Sequence, residues 1–224
     1  MESFLAALQL ADGALPVGRF VHSHGLEAWL HAEPTAGEAE LAELISSAVC
    51  EGAAPLDGAV LAHAHRSAAP AELFELDRAL TARKLVLGAR RASCACGRRL
   101  AALGATLVDD ALVEALATAV RAGGTDGNLA VVEGVLGRAM GISVEEAVAI
   151  ELRGFATGLL SAAVRLGRLT PGRAQVVLWR LREPLSAATS TALATAVGDL
   201  RSGALELELH ALAHPRAEVR FFQS

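Results

Sequence analysis

The sequence predicts an all-α protein, a single-domain compact helical bundle of about ten helices over residues 1–224. Apolar residues recur at helical spacing from end to end, and the alternating runs typical of strands are nearly absent. No Pro-, Ser- or charge-rich stretch interrupts the chain as an interdomain linker would. The chain is 53% apolar but only 4% aromatic and has no Tyr. Its core must therefore be built mainly from Ala, Leu and Val in closely packed helices.

The first predicted helix begins near Glu2, after flexible N-terminal residues, and ends at Asp12-Gly13, where glycine can adopt a left-handed conformation. A loop rich in turn residues follows within QLADGALPVGRFVHSHGLE, residues 9–27. Pro16 and Gly18 each specify a reversal of the chain there. The next helix is expected to begin at His22 or Ser23. This much backbone specification predicts a loop held in one shape.

Capping residues and prolines predict the next boundaries. Thr35 and Glu38 form a predicted capping box, which opens a helix ending near Gly52. Pro55 and Pro70 are each expected in the first turn of a helix, because that position needs no backbone N–H. The two helices are predicted near 56–67 and 71–84, as antiparallel neighbours.

The middle of the chain is expected to contain three more helices. One runs from 89 to 103 and is ended by Gly104, and Asp109-Asp110 are expected to begin the next. The glycine-rich stretch 123–127 is predicted to be the most flexible interior loop. A short helix from Asn128 to Met140 follows it.

Ser143 and Glu146 form a second predicted capping box, which opens the longest amphipathic helix and the expected centre of the fold. Gly154, Gly158 and Ala162 form a stripe of small residues along this helix. Such a stripe lets another backbone approach closely, either from the same chain or from a symmetry mate. It is our candidate interface for a homodimer.

Three features are predicted after this helix. Thr170 and Pro171 begin a helix that Pro184 kinks or ends. A buried helix is predicted over 185–198, and a last helix over 204–213. Residues 215–224 form a predicted tail.

Composition excludes several classes of protein. A formal net charge of −5 argues against general nucleic-acid binding. The most apolar runs are shorter than the roughly 20 residues that span a membrane, and no secretory signal is visible. Three Cys cannot all pair within one chain, so free thiols and a cytoplasmic location are expected.

No catalytic motif or nucleotide-binding loop with the sequence G-x-x-x-x-G-K-[ST] is present, which predicts a protein that is not an enzyme. Metal binding has only weak candidates. Residues two apart on a helix point in different directions, so His63 with His65, and Cys94 with Cys96, cannot easily share an ion. The remaining weak candidates are His22 with His24 and His210 with His214, and two neutral ligands make an incomplete site.

A basic segment is the stronger signal. Six cations fall between residues 83 and 99 with no Asp or Glu among them. If the helical phase continues through Gly88, three of them, Lys84, Arg91 and Arg98, form one positive stripe. A solvated helix face is the simpler interpretation. An acidic partner surface is the functional one, and a third alternative, nucleic-acid binding, predicts strong salt dependence.

Several stretches resemble, in the same order, the landmarks of the urease accessory protein F (UreF) family: L-A-D-x-x-L-P-x-G and H-S-x-G-L-E in the N-terminal loop, L-D-R-A-L-T-A-R-K at 76–84, R-A-S-x-x-x-G-R-R-L at 91–100, A-V-V-E-G-V-L-G-R-A-M-G at 130–141, S-A-A-V-R-L at 161–166 and H-P-R-A-E-V-R-F-F-x-S at 214–224. The chain departs from the commonest family pattern at six places: Arg19 (often Gly), Val21 (often small), Gly88 (often acidic), Asn128 (often His), Gly167-Arg168 (often apolar then Pro) and Pro215 (often acidic).

The resemblance implies a non-catalytic urease maturation factor, a nickel-insertion chaperone that forms a homodimer. Such a factor bridges a scaffold accessory protein of the UreD/UreH type and a nickel-carrying GTPase of the UreG type, gates GTP hydrolysis and acts on apo-urease. It implies no cofactor of its own, nickel being passed through the complex. The predicted partner-binding residues, of which Arg90 and Arg91 come from the basic segment, are Pro16, Gly18, His22, Ser23, Glu27, Arg90, Arg91, His214, Arg220, Phe221 and Phe222. A helical metal-binding or redox protein that uses the His and Cys pairs is the alternative.

Overall fold

The computed structural model describes residues 1–19 and 22–213, and within these ranges the chain is helical, without β-strands. The all-α prediction is confirmed. A π-helical segment at Ala48–Gly58 joins α3 to α4, and a short 3₁₀ turn at Val197–Asp199 precedes the last helix. The helices are α1 Glu2–Leu10, α2 Leu26–Ala32, α3 Glu38–Ser47, α4 Ala59–Arg66, α5 Pro70–Arg83, α6 Leu87–Leu107, α7 Ala111–Arg121, α8 Leu129–Ala139, α9 Val144–Arg165, α10 Pro171–Arg180, α11 Arg182–Ala194 and α12 Leu205–Ala213.

The most deeply buried helix is α8, in which every residue from Leu129 to Gly137 is buried. It packs most extensively against α4, and Gly134 permits their close approach, since a Cβ there would lie 2.5 Å from the backbone oxygen of Leu61. The longest helix, α9, was predicted as the centre. It packs against α8, α4, α11 and the π-helical segment, so it shares the central position with α8.

Pro70 lies in the first turn of α5, as predicted. At three further predicted starts a side chain caps the helix. Asp110 accepts backbone N–H groups from the first turn of α7. Ser143 accepts from the backbone N–H of Glu146, whose carboxylate in turn accepts from the backbone N–H of Ser143. The Thr170 hydroxyl accepts from the backbone N–H of Arg173 in the first turn of α10. In each case a side chain satisfies N–H groups that have no partner within the helix.

Two other predicted starts are wrong. The second helix begins at Leu26, after Gly25 in the left-handed conformation, rather than at His22 or Ser23. The capping box at Thr35 and Glu38 is displaced, because Glu40 accepts from the backbone N–H of Gly37 at 3.1 Å. The Glu38 carboxylate instead binds the guanidinium of Arg173 on α10.

The predicted break between Gly52 and Pro55 is also wrong, because the chain stays helical from 38 to 66 by widening into a π-helix. Pro55 lies inside this helix and has no N–H to donate. The oxygen of Glu51, four residues earlier, accepts from the backbone N–H of Gly203 at 2.8 Å, and the oxygen of Pro55 accepts from Arg201 at 3.3 Å. Donors from the C-terminal segment thus satisfy part of the backbone of this unusual helix.

Two more differences concern buried contacts. Gly104 lies inside α6, where its lack of a side chain admits Leu136 of α8, and the helix continues to Leu107. The helix predicted as buried over 185–198 is α11, in which Ala188 and Ala192 are buried and most other residues are not. It packs on the π-helical segment through these small side chains.

The glycine-rich stretch 123–127, predicted as the most flexible loop, is bound to the fully buried Asp77 of α5. One oxygen of Asp77 accepts from the backbone and side-chain N–H groups of Asn128, both at 2.8 Å. The other accepts from the Gly127 N–H at 2.8 Å and from the Thr125 hydroxyl at 2.5 Å. The side chain of Asn128 also donates to Thr81. We call this set the Asp77 cluster.

Two helical stretches, 38–66 and 144–165, are long and apolar enough to span a membrane, which corrects the expectation that every apolar run is too short. The first arises because the π-helical segment joins two predicted helices. Within their most apolar windows, 72% and 56% of the residues are buried inside the fold, as in the core helices of globular proteins.

At the C-terminal end of the described chain, α12 packs on α2. The indole N–H of Trp29 donates to Glu206 at 2.7 Å. Gly25 lies at the contact, where a Cβ would meet the backbone of Leu207 and Ala211. Trp179, by contrast, is 69% exposed on α10, beneath the guanidinium of Arg182.

Candidate functional site

A cavity of about 140 Å³ lies where the N-terminal loop meets α9, α12, the α5–α6 junction and the π-helical segment. Its wall is mostly apolar, with a few polar groups that converge from separate parts of the chain. Deviations from the α-helix such as the π-helical segment are frequent at functional sites. The polar or ionisable groups in the wall are Arg19, His22, His24, Asp57, Lys84, Ser93, Cys96, Glu151, Ser202 and Glu208.

Next to this cavity, Arg19 joins two buried carboxyl groups, and we call these three residues the Arg19 cluster. The Nη1 group of Arg19 donates to Oε1 of Glu133 on α8 at 2.6 Å. Its Nη2 group donates to Oε2 of Glu151 on α9 and, at 3.4 Å, to the backbone oxygen of Glu151. The three side chains are 15%, 1% and 8% exposed in the order Arg19, Glu133, Glu151. The cluster ties the loop to the two central helices.

The two carboxyl groups differ in pKa. Burial raises the pKa of Glu133 well above its ordinary 4.5, and the neighbouring Glu151 raises it further against the opposing effect of Arg19. Burial also acts to raise the pKa of Glu151, but the charge of Arg19 and hydrogen bonds from both neighbours lower it overall. Burial would lower the pKa of Arg19, but both carboxyl groups raise it.

The two loop histidines are neutral at physiological pH. Burial lowers the pKa of His24 to about 3, with further lowering by the nearby cations and His22. Burial and Arg99 lower the pKa of His22. The His24 ring packs edge-on against Phe155, 5.1 Å between centroids, and its backbone has a positive φ of 50°. These rings are packed elements of the fold.

No three His, Cys, Asp or Glu side chains in residues 1–19 and 22–213 are placed to hold a metal ion. His63 and His65 each bond a different backbone oxygen, in keeping with the expectation that they do not share an ion. The cysteines are free thiols, as predicted, and burial raises the pKa values of Cys94 and Cys96. The partner proposed for His210, His214, lies outside the described residues.

The predicted partner-binding residues fall in different environments. Pro16 is exposed, and Gly18 adopts a φ of 83° beside the guanidinium of Arg99. His22, Ser23 and Glu27 are buried, so a partner could touch them only after the loop moves. Arg220, Phe221 and Phe222, like His214, lie outside the described residues. The role of all these residues in partner binding stays a prediction.

The basic segment does not form the predicted stripe. The helical phase is lost at 84–86, between α5 and α6, whereas Gly88 lies inside α6. Lys84 forms an ion pair with Asp57, and Arg90 donates twice to the backbone oxygen of Lys84. Arg91 and Arg98 lie two turns apart on α6 and are exposed. The available positive surface is therefore smaller than the sequence suggested.

The stripe of small residues on α9 faces inward. Ala162 has no exposed surface, and a Cβ on Gly154 would lie 3.0 Å from the Arg19 guanidinium. Gly158 lines the cavity, with open space where a side chain would stand. The close approach at Gly154 and Ala162 is thus made within the chain, and the homodimer stays a prediction.

Sequence reasoning missed the Arg19 cluster, although two signals were visible. Arg19 had been noted only as a departure from the resembled pattern. Glu133 stands inside the apolar run A-V-V-E-G-V-L, where a charged residue needs a buried partner. What the sequence could not reveal is that these two signals belong to one site.

Comparison with known proteins gives a consistent result. A family model described as UreF matches residues 35–182. A protein of Paenarthrobacter aurescens named urease accessory protein UreF is 30% identical over 220 residues, covering 98% of this chain and 97% of its own length. Urease accessory protein UreF 2 of Brucella canis is 29% identical, covering all of this chain and 93% of its own. The corresponding Yersinia pseudotuberculosis protein is 28% identical, with coverage of 100% and 99%. This chain therefore belongs to the UreF family.

Proposed function

We propose that this protein is a urease maturation factor that acts by binding, as a bridge between a scaffold accessory protein of the UreD/UreH type and a nickel-carrying GTPase of the UreG type. The observation that carries the proposal is similarity over 98% of the chain to a protein named as a urease accessory protein. Its action on apo-urease, its gating of GTP hydrolysis and its location in the cytoplasm are parts of the same proposal.

A binding role is supported by apolar side chains left on the surface of two terminal helices. On α1, Phe4 and Leu5 are each 57% exposed and Leu8 is 52% exposed. On α12, Leu205 and Leu209 are 67% and 65% exposed. Contiguous exposed apolar surface is typical of protein interaction sites. These residues are therefore the first candidates for contact with another accessory protein.

The same proposal includes a homodimer, no catalytic activity and no resident cofactor, with nickel as cargo of the assembled complex. The competing metal-storage or redox function has little support in the described part of the chain. Metal storage needs a cluster of ligands, which residues 1–19 and 22–213 do not contain. Redox chemistry needs thiolates, and burial keeps Cys94 and Cys96 in the thiol form.

Co-purification with a tagged UreD/UreH-type scaffold, with and without the UreG-type GTPase, tests the bridge. We expect the full chain to be retained by the scaffold and to bring the GTPase with it. Replacing Phe4 and Leu8 by Ser should reduce retention at least about tenfold if α1 is a contact. Leu107→Ser, at the 40% exposed end of α6, is the matched control. The proposed function is contradicted if the scaffold does not retain the wild-type chain, or if the retained chain does not bring the GTPase with it.

A further inference from the structure

We propose that Arg19 is the positioning residue of the N-terminal loop, and that it holds the loop by bridging a protonated Glu133 and an ionised Glu151. The inference rests on the proposed function in one respect, since it takes the loop to be a partner-binding segment. The anchoring itself is a property of the isolated chain.

The geometry of the guanidinium is the first support. A planar fork can engage two acceptors at once, and Arg19 uses one nitrogen for a carboxyl group on α8 and another for a carboxyl group on α9. The loop is held nearby by a second arginine as well, since the Arg99 guanidinium donates to the backbone oxygen of Val17 at 3.2 Å. Arg19 is the deeper attachment, because its two partners are buried.

The hydrogen-bond inventory of Glu133 is the second support. Its Oε1 atom accepts from Arg19, but its Oε2 atom is buried and no donor within the described residues reaches it. An ionised carboxylate would leave this oxygen desolvated and unsatisfied. A proton on Oε2 removes the charge and makes this oxygen a donor, and Glu151, which binds the same guanidinium, is the neighbouring carboxyl group that raises the pKa of Glu133. The unsatisfied oxygen is thereby explained.

The charged groups around Glu133 and Glu151 are balanced if the two carboxyl groups together hold one proton. Arg19 is the cation that touches both carboxyl groups, and Lys84 at the end of α5 is neutralised by Asp57 of the π-helical segment. From the other side, His24 of the loop is neutral and Cys96 of α6 is a thiol. On α4, which packs against α8, both histidines are bonded to backbone oxygens of other segments. Two buried carboxylates facing one guanidinium would leave an uncompensated charge, and protonation of Glu133 removes it.

Hydrogen exchange of the full chain tests the anchoring. In Arg19→Met, backbone amides within 14–19 and 22–26 should exchange at least about tenfold faster, because the buried attachment is lost. Arg19→Lys should recover only part of the protection, since an ammonium group lacks the fork. Arg78→Met, which removes an exposed arginine on α5, is the control and should leave the loop unchanged. Wild-type exchange of the loop in Arg19→Met would overturn the proposal.

Two variants of Glu133 test whether the wild-type side chain carries a proton. In Glu133→Gln, the amide oxygen can accept from Arg19 and the amide N–H can donate to Glu151, so loop exchange should stay within about twofold of wild type. Glu133→Ala removes both bonds, and its loop should exchange at least about tenfold faster. If Glu133→Gln is as damaging as Glu133→Ala, the wild-type residue is ionised and the assignment of the proton is wrong.

These measurements need no partner, which separates the two proposals. If the loop responds as expected but the wild-type chain does not co-purify with the scaffold, the proposed function fails and the anchoring stands. If the wild-type chain co-purifies but the loop of Arg19→Met exchanges as in wild type, the anchoring fails alone.

Discussion

The Asp77 cluster and the Arg19 cluster are both built around buried carboxyl groups, and they differ in how many of the carboxyl oxygens accept hydrogen bonds from described residues. Asp77 meets only neutral donors, four of them at 2.8 Å or less on one short stretch of chain. In the Arg19 cluster two carboxyl groups share one cation, and an oxygen of Glu133 has no donor among the described residues. The first cluster binds the loop between α7 and α8 to the buried Asp77 of α5. The second fixes a loop beside the cavity.

This difference means that the Asp77 cluster stabilises the fold, whereas the hydrogen bonds of the Arg19 cluster depend on its protonation state. The donors to Asp77 are backbone N–H groups, a side-chain amide and a hydroxyl, none of which titrates near neutrality. A pair of carboxyl groups around one guanidinium depends on how many protons it holds. The Asp77 cluster should therefore dominate stability, and the Arg19 cluster should dominate its pH dependence.

The largest expected effect is at Asp77. Asp77→Ala leaves the backbone N–H groups of Gly127 and Asn128 buried without an acceptor, and should lower the free energy of unfolding by about 3–5 kcal/mol. Denaturant titration followed by circular dichroism measures this loss. Asp77→Asn keeps one acceptor oxygen and should lose less. A loss below about 1 kcal/mol in Asp77→Ala would show that the cluster is not the main anchor of the loop.

The second prediction concerns pH. The raised pKa of Glu133 contributes stability that is complete below its ordinary 4.5 and is lost as pH rises through its folded value. Within that window wild type should lose stability relative to Glu133→Gln by up to about 1.4 kcal/mol per pH unit. Unfolding of both proteins at a series of pH values from about 5 to about 9 measures the difference.

His24 acts in the opposite direction and has to be separated from this effect. Its pKa is lowered from 6.5 to about 3, so its contribution is complete above pH 6.5 and is lost as pH falls. Glu151, whose pKa is lowered, contributes stability that is complete above its ordinary 4.5 and is also lost as pH falls. The difference between wild type and Glu133→Gln cancels both contributions. A difference that does not change with pH would mean that Glu133 is ionised throughout.

The smallest expected effect distinguishes two adjacent arginines of the basic segment. Arg90 binds the backbone oxygen at the end of α5, so Arg90→Glu should lower the free energy of unfolding by about 1–2 kcal/mol. Arg91 is exposed on α6, and Arg91→Glu should change stability by less than about 0.5 kcal/mol while weakening an acidic partner in a salt-dependent manner. Equal losses of stability in Arg90→Glu and Arg91→Glu would contradict this distinction. If Arg91→Glu binds its partner as wild type does at low salt, Arg91 belongs to a solvated helix face that takes no part in binding.

How much the sequence predicts depends on the distance between interacting residues. The caps at Asp110, Ser143 and Thr170 were predicted because each side chain meets backbone atoms within three residues. Arg19 binds carboxyl groups 114 and 132 residues away, and no local pattern connects them. The π-helical segment was missed for the same reason, because Gly203, far along the chain, supplies the N–H that the oxygen of Glu51 accepts from.

The contact between Trp29 and Glu206 gives the chain a built-in optical reporter. There is no Tyr and there are only two Trp, so ultraviolet emission comes from Trp29 and Trp179 alone. Trp179 is already in water, whereas Trp29 is 4% exposed and bonded to α12. A red shift of the emission at unchanged helicity therefore signals that α12 has left α2, and a shift that accompanies loss of helicity signals unfolding of the whole chain.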